Sequence, residues 1–224
     1  NKDILINQHG FQVMMEWEKP YMKAIIKKLK PMGNVLEIGF GLGYSASEIQ
    51  KYKIKSHTII EDNPTILENL KKWAKKQLHK INIIEGTWQT SLKTLGKFDC
   101  IFFDDAPHDN HPDVDDTRVY SLYHQLFREH VNKNARLSWY CQGPIYWVAH
   151  PFTKWSLDSF KIKIPSNCNY VPRYNPEKFE KLFGVVLKYK YSTLYIPLLV
   201  FSQGTTHDLI PFVINKYNQL RIGV

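Results

Sequence analysis

Cysteine is scarce in this chain of 224 residues: Cys100, Cys141 and Cys168 are the three present, and no two form a Cys-x-x-Cys pair. That excludes a disulfide scaffold and a zinc ribbon, and it fits a reducing, cytoplasmic compartment. Long hydrophobic runs are missing too. The longest, near residues 196–201, has strand length and falls far short of the roughly 18 residues a membrane helix needs. No membrane partner is expected. Asn1-Lys2-Asp3-Ile4-Leu5 has no basic stretch leading into an apolar one, so no secretory leader is expected within these residues. Arginine is rare: of 30 basic residues only Arg118, Arg128, Arg136, Arg173 and Arg221 carry a guanidinium, against a net charge of +9. Bidentate phosphate recognition favours arginine. The lysines instead sit at helix-like spacing, as in Lys23, Lys27, Lys28 and Lys30 or Lys71, Lys72, Lys75 and Lys76, the pattern of solvated helix faces. Nucleic acid is a disfavoured partner, kept open only by the net charge.

What is present reads as one globular domain. Hydrophobic residues are 43% and charged residues 23%, values that rule out disorder. Apolar residues recur at helical spacing over 11–30, with Pro20 either kinking one helix or starting a second. Strands are expected at 34–38, 56–60, 80–84, 98–103 and 135–141, with helices at 44–51, 64–78 and 117–131 between them. Residues 142–176 hold five prolines (144, 151, 165, 172 and 176) and read as an irregular insertion. A short helix over 176–182 and two strands, 185–191 and 195–202, follow before the tail. The alternation predicts an α/β fold: a Rossmann-like, seven-stranded, mostly parallel sheet with an antiparallel last strand and helices on both faces. The chain divides into an N-terminal helical lid (1–32), a core (33–141), the insertion (142–176) and C-terminal strands with the tail (177–224).

The most informative stretch is Val35-Leu36-Glu37-Ile38-Gly39-Phe40-Gly41-Leu42-Gly43. A strand runs into glycines and then a helix, which lets the backbone turn sharply and a ligand approach closely. The third glycine comes one position too early for a dinucleotide fingerprint, and Tyr44 stands in its place. Glu37 lies two residues before the first glycine. The second strand ends in Glu61, placed where an acid can accept both hydroxyl protons of a ribose; the competing role is a cap partner of the next helix. For Glu37 the competing role is a strand-end ion pair. The third strand ends in Glu85-Gly86-Thr87-Trp88, and Trp88 either covers a ligand ring or belongs to the core. Asp104 and Asp105 follow the fourth strand directly.

Glu37-x-Gly39-x-Gly41-x-Gly43 resembles the first motif of class I S-adenosylmethionine-dependent methyltransferases. The resemblance implies that S-adenosylmethionine is the cofactor. Glu37 would then serve its ammonium group, Gly39 and Gly41 its amino-acid end, Glu61 its ribose, and Gly86, Thr87 and Trp88 its adenine, with Asp104 beside the reacting methyl. Met14-Met15-Glu16-Trp17-Glu18-Lys19-Pro20-Tyr21-Met22 is more specific. It resembles the Met-x-x-Trp-Glu-x-Pro-Tyr-Met element of guanidinoacetate methyltransferase and the related fungal arginine N-methyltransferase. Ile59-Ile60-Glu61, His79-Lys80, Gly86-Thr87-Trp88 and Phe103-Asp104-Asp105-Ala106-Pro107 are similar to that family in the same order. The resemblance spans about residues 11–141. It implies that Glu18 and Asp104 bind the substrate guanidinium and are the catalytic pair, with Tyr21 as a further substrate contact. Tyr140-Cys141-Gln142-Gly143-Pro144-Ile145 stands where the family has Tyr-Cys-Asn-Leu-Thr-Ser beside the carboxylate end of the substrate, which makes Gln142 a candidate contact there. The acidic loop from Asp109 to Asp116 favours a more cationic acceptor, such as arginine or an arginine-bearing peptide, over guanidinoacetate.

Two other classes compete. Asp104, Asp105, His108, Asp109, Asn110 and His111 offer ligands for a hard cation, as in a metal-dependent O-methyltransferase, although the family resemblance itself implies no metal. The net charge leaves room for an RNA-binding methyltransferase, and a cofactor-binding protein without catalysis is the third possibility.

Overall fold

A computed structural model describes residues 3–6, 12–105, 115–141, 153–162 and 193–205. Two short strands, β1 (Ile4–Ile6) and β2 (Gln12–Met15), pair antiparallel, and a single 3-10 turn over Glu16–Glu18 leads from them into α1 (Lys19–Leu29). The helix expected over 11–30 is thus a strand in its first part. The adjacent Met14 and Met15 do not tell a four-residue strand from the start of a helix. Pro20 sits in the first turn of α1, where its missing N–H costs nothing, so it starts this helix and kinks nothing. Tyr21, Met22, Ile25, Ile26 and Leu29 form its buried face, each aliphatic member worth about 1.5–3 kcal/mol. Lys23, Lys27 and Lys30 are exposed on the other side.

The main sheet follows in chain order as β3 (Gly33–Ile38), α2 (Tyr44–Ile49), β4 (Ile54–Glu61), α3 (Pro64–Ala74), β5 (Ile81–Glu85), the helical turn α4 (Trp88–Ser91), β6 (Phe98–Phe103), α5 (Asp115–Gln125), β7 (Val131–Trp139), β8 (Thr153–Lys161) and β9 (Thr193–Phe201). Its strand order is β5-β4-β3-β6-β7-β9-β8. The first five are parallel, and β9 runs antiparallel to both neighbours, as expected of the last strand. β3 and β6 are buried on both faces, which is why they read as near-continuous apolar runs.

Successive residues serve opposite faces. Leu36, Ile38, Ile60, Ile101 and Phe103 pack with α5 and the Trp88–Leu92 turn. Val35, Cys100 and Phe102 pack with α1 and Ile49 of α2, and Ile59 packs with Ile66, Leu67 and Leu70 of α3.

The expected irregular insertion contains β8, the outer partner of β9. As an edge strand it is exposed or half-buried from Lys154 to Lys161, so it shows no clean alternation. The expected helix 176–182 and strand 185–191 lie outside the described residues. Pro197 has no N–H to give to the ladder of β9, while its carbonyl accepts from the Ser138 hydroxyl on β7 at 2.5 Å. Among the described residues no helix is long and apolar enough to cross a membrane.

Candidate functional site

The site forms beyond the carboxyl ends of β3, β4 and β6, where a parallel sheet leaves a crevice. The chain leaves β3 through Gly39, Gly41 and Gly43, all at positive φ (85°, 52° and 71°). At Gly39 the requirement is absolute. A Cβ there would stand 2.2 Å from the Asp104 carbonyl oxygen. The Asp104 N–H in turn donates to Ile38 O at 2.9 Å. The glycine turn and the Asp104 rim are therefore packed backbone against backbone.

Glu61 closes the second side. Its Oε2 accepts from Phe40 N–H inside the glycine turn at 2.9 Å, and its Oε1 accepts from Asp62 and Asn63 N–H at 3.0 and 2.9 Å. Burial pushes its carboxyl above the usual 4.5, with those three donors pulling the other way. Glu61 does not cap α3: Asn63 does, accepting from Thr65 and Ile66 N–H. The acid is held against the turn that a cofactor's amino-acid end would share with its ribose. Gly86 N–H donates to Glu61 O at 3.0 Å, which brings the Gly86-Thr87 loop to the same side. These features fit S-adenosylmethionine: a close-approach turn, an oriented acid at the end of β4, and a loop from β5 beside it.

Three expected contacts are placed elsewhere. Glu37 is fully buried, with Oε1 accepting from Ser45 at 2.5 Å and Oε2 facing His57 Nε2 at 2.8 Å. It is turned into the fold under α2 and not onto the crevice. Trp88 is a core residue, 3% exposed, edge-on to Phe103, and its indole N–H donates to Asp105 Oδ2 at 2.9 Å. Tyr21 is fully buried: its hydroxyl donates to the Tyr195 carbonyl and accepts from Cys141 N–H at 3.0 Å, anchoring α1 to β9 and the end of β7. Gln142, His108, Asp109, Asn110 and His111 lie outside the described residues.

Glu18 lies in the segment before α1, and Asp104 directly follows β6. Glu18 is no surface acid: it is 3% exposed, with Oε2 accepting from Met15 N–H at 2.6 Å and Oε1 accepting from Tyr140 OH at 2.5 Å. Burial holds the Tyr21 phenol well above its ordinary range, and the carboxylates of Asp104 and Glu18 both push it further.

Two site neighbours escaped the sequence reading. Met14 lies on the glycine turn, its Sδ accepting from Leu42 N–H at 3.3 Å, and a Cβ on Gly41 would meet its Cε at 3.0 Å. Tyr140 reaches Glu18 from the end of β7. Its position one residue past a central strand, beside the Asp104 rim, was the available signal.

Comparison with known proteins supplies the family. The model of the family described as guanidinoacetate N-methyltransferase matches residues 1–142. The chain belongs to that family. Protein arginine N-methyltransferase 2 of Candida glabrata is 38% identical over 114 residues, covering 48% of this chain and 28% of that protein. The protein of the same name from Saccharomyces cerevisiae is 33% identical over 103 residues, covering 43% and 25%. The chain spans about a quarter of the length of these relatives. Among solved structures, a methyltransferase from Pyrococcus furiosus aligns with TM-score 0.51 at 15% identity over 89% of both chains. The O-methyltransferase TomG from Streptomyces achromogenes, solved in complex with SAM, aligns with TM-score 0.51 at 12% identity over 85% of this chain and 82% of that one. These two show the shared fold of class I methyltransferases.

Proposed function

We propose that the protein is an S-adenosylmethionine-dependent N-methyltransferase that acts on a guanidino nitrogen, with Glu18 and Asp104 as its catalytic pair. The observation that carries this reading is that one residue joins the two elements: the Tyr140 phenol donates to Glu18 Oε1 at 2.5 Å, and the Tyr140 N–H donates to the carbonyl of Phe103, the residue before Asp104, at 3.0 Å. Family membership and the arginine N-methyltransferase name of the relatives support it.

Bound S-adenosylmethionine would supply an electrophilic methyl group on a sulfonium. Gly39, Gly41, Glu61, Gly86 and Thr87 would hold it, with Glu61 accepting from the ribose hydroxyls. The remaining work falls to the chain. A guanidinium is a poor nucleophile because its lone pairs are delocalised and it stays protonated, with a pKa of about 12 or more. Two carboxylates hold the planar cation by paired hydrogen bonds and fix which nitrogen faces the methyl group. As that nitrogen becomes bonded to carbon it loses a proton, and a carboxylate in contact with it takes the proton. The acids make an anionic acceptor unfavourable at this point, which separates this reading from RNA methylation.

The acceptor follows from charge. The acidic stretch Asp109-Asn110-His111-Pro112-Asp113-Val114-Asp115-Asp116 supports arginine, with its net positive charge, or an arginine-bearing peptide over guanidinoacetate, which is neutral overall. The reading includes a cytoplasmic location, supported by the buried free thiols of Cys100 and Cys141. The test is a labelled-methyl assay against guanidinoacetate, L-arginine and an arginine-containing peptide, with product mass. Methylation of a guanidino nitrogen is expected. Methyl transfer to RNA, or transfer abolished by a chelator and restored by magnesium, would replace this reading.

A further inference from the structure

We propose that Tyr140 is a positioning residue of the guanidino site, bonded at once to the Glu18 carboxylate and to the strand rim that carries Asp104. This inference rests on the guanidino reading and deepens it.

Glu18 belongs to a segment outside the main sheet, whereas Asp104 ends a central strand. Their relative position must be set by something that touches both elements. Tyr140 does so with its two ends. Its backbone N–H donates to the Phe103 carbonyl at 3.0 Å, which extends the β6–β7 pairing one residue past the Phe103–Trp139 register pair. Its backbone is therefore part of the rim next to Asp104. Its side chain crosses to the N-terminal segment, and the phenol donates to Glu18 Oε1 at 2.5 Å across 122 residues of sequence. On the other oxygen Glu18 accepts from Met15 N–H. Two donors on two oxygens fix the plane of the carboxylate. An ionised carboxylate offers about four acceptor directions, so being held this way is compatible with gripping a guanidinium edge.

The Tyr140 ring is itself held. It stands edge-on to Tyr21 with centroids 5.3 Å apart and planes at 88°. Tyr21 is pinned by the backbone of Cys141 and Tyr195. The order of support therefore runs from β9 and the end of β7, through Tyr21, to the Tyr140 ring and then to Glu18. A misplacement of about 1 Å in a catalytic group can cost ~100-fold in rate, and the Tyr140 hydroxyl is placed to prevent it. Phenylalanine would keep the ring packing and remove only that hydroxyl.

The experiment is a double-mutant cycle between Tyr140→Phe and Glu18→Gln, assayed with whichever of guanidinoacetate, L-arginine or the arginine peptide gives the highest turnover. Tyr140→Phe alone should lower kcat/KM for the acceptor about 10–100-fold, with S-adenosylhomocysteine affinity changed less than about threefold. On the Glu18→Gln background the same change should cost less than about threefold, because the two act as one unit. Additive losses with a defective Glu18→Gln would overturn the role of Tyr140 and leave the guanidino reading standing. A Glu18→Gln enzyme with normal turnover would overturn both. A second measurement needs no acceptor. Hydrogen exchange at the Met15 amide should accelerate at least about tenfold in Tyr140→Phe as Glu18 is released, and unchanged exchange would overturn the proposal.

Discussion

The His57 ring and the Glu37 carboxylate meet at 2.8 Å with neither side chain exposed. The surrounding bonds decide which way the protons point. His79 N–H donates to Gln50 Oε1 at 3.1 Å, which turns the amide Nε2 toward His57 Nδ1 at 3.0 Å. The ring therefore accepts on Nδ1 and donates from Nε2 to Glu37, while Ser45 donates to the other carboxylate oxygen. One relay ties β3, β4 and the start of α2 together directly behind the glycine turn.

Removing one member of this pair should be worse than removing both. His57→Leu leaves Glu37 buried without its ring donor and should cost about 3–5 kcal/mol. Replacing both residues by leucine should recover a large part of that loss, since no buried carboxylate is then left unpaired. Urea unfolding of the two single variants and the double variant measures it. Additive losses would show that the relay is not a unit.

Gly39 and Gly96 make a matched pair of substitutions. Gly39→Ala puts a methyl 2.2 Å from a backbone oxygen at φ +85°, so either the glycine turn or the Asp104 rim must move. The left-handed conformation alone costs about 1–2 kcal/mol, and the clash adds to it. Gly96 has nothing within 4 Å of an added Cβ. Gly96→Ala should therefore stay within about 0.5 kcal/mol of the parent. Thermal melts with and without S-adenosylhomocysteine should show Gly39→Ala less stable and less responsive to the ligand.

Glu61 predicts how cofactor affinity depends on pH. Burial raises its carboxyl above 4.5. Only the ionised form accepts from both ribose hydroxyls, so affinity should be level at neutral pH and fall as pH drops through that raised value. The effect on stability has the opposite sign. A raised carboxyl pKa in the folded state favours the protonated form, so this group's stabilisation is present at acid pH and is lost as pH rises through the folded value. Calorimetric titration of S-adenosylhomocysteine from pH 8 down to the acid limit of the folded protein should show the drop, and Glu61→Gln should flatten it. Parallel curves for the two proteins would assign the pH dependence to another group.

The parallel core was legible because strands buried on both faces leave apolar runs bounded by glycine and aspartate, as in Phe98–Phe103 between Gly96 and Asp104. β2 was not, since four residues do not distinguish the two periodicities. β8 was not, since from Lys154 to Lys161 this edge strand is only exposed or half-buried and carries no clean alternation. Within the site, the strand-end acids Glu61 and Asp104 could be placed by topology alone. Glu37 could not, because its partner His57 comes from a neighbouring strand and only the packed sheet shows that the carboxylate faces inward. The bond from Tyr140 to Glu18 was not legible for a related reason: it joins residues 122 apart in sequence, and only the fold brings them together.

The two carboxylates themselves carry the last prediction. Glu18→Gln and Asp104→Asn each keep size and lose charge, so the cation is held less firmly and its proton has one fewer acceptor. Each should lower turnover by about 100-fold or more, within the range of a lost general base. Neither oxygen pair is assigned to the cofactor's ribose, so S-adenosylhomocysteine affinity should change less than about threefold for Glu18→Gln. Asp104→Asn should behave likewise, because the contact of Asp104 with Gly39 is through its backbone carbonyl, which the substitution leaves in place. The converse pattern, lost cofactor binding with turnover preserved at saturation, would move both residues out of the acceptor site. Glu61→Ala gives the reference for that pattern, since it should mainly weaken the cofactor and leave turnover at saturation within about tenfold.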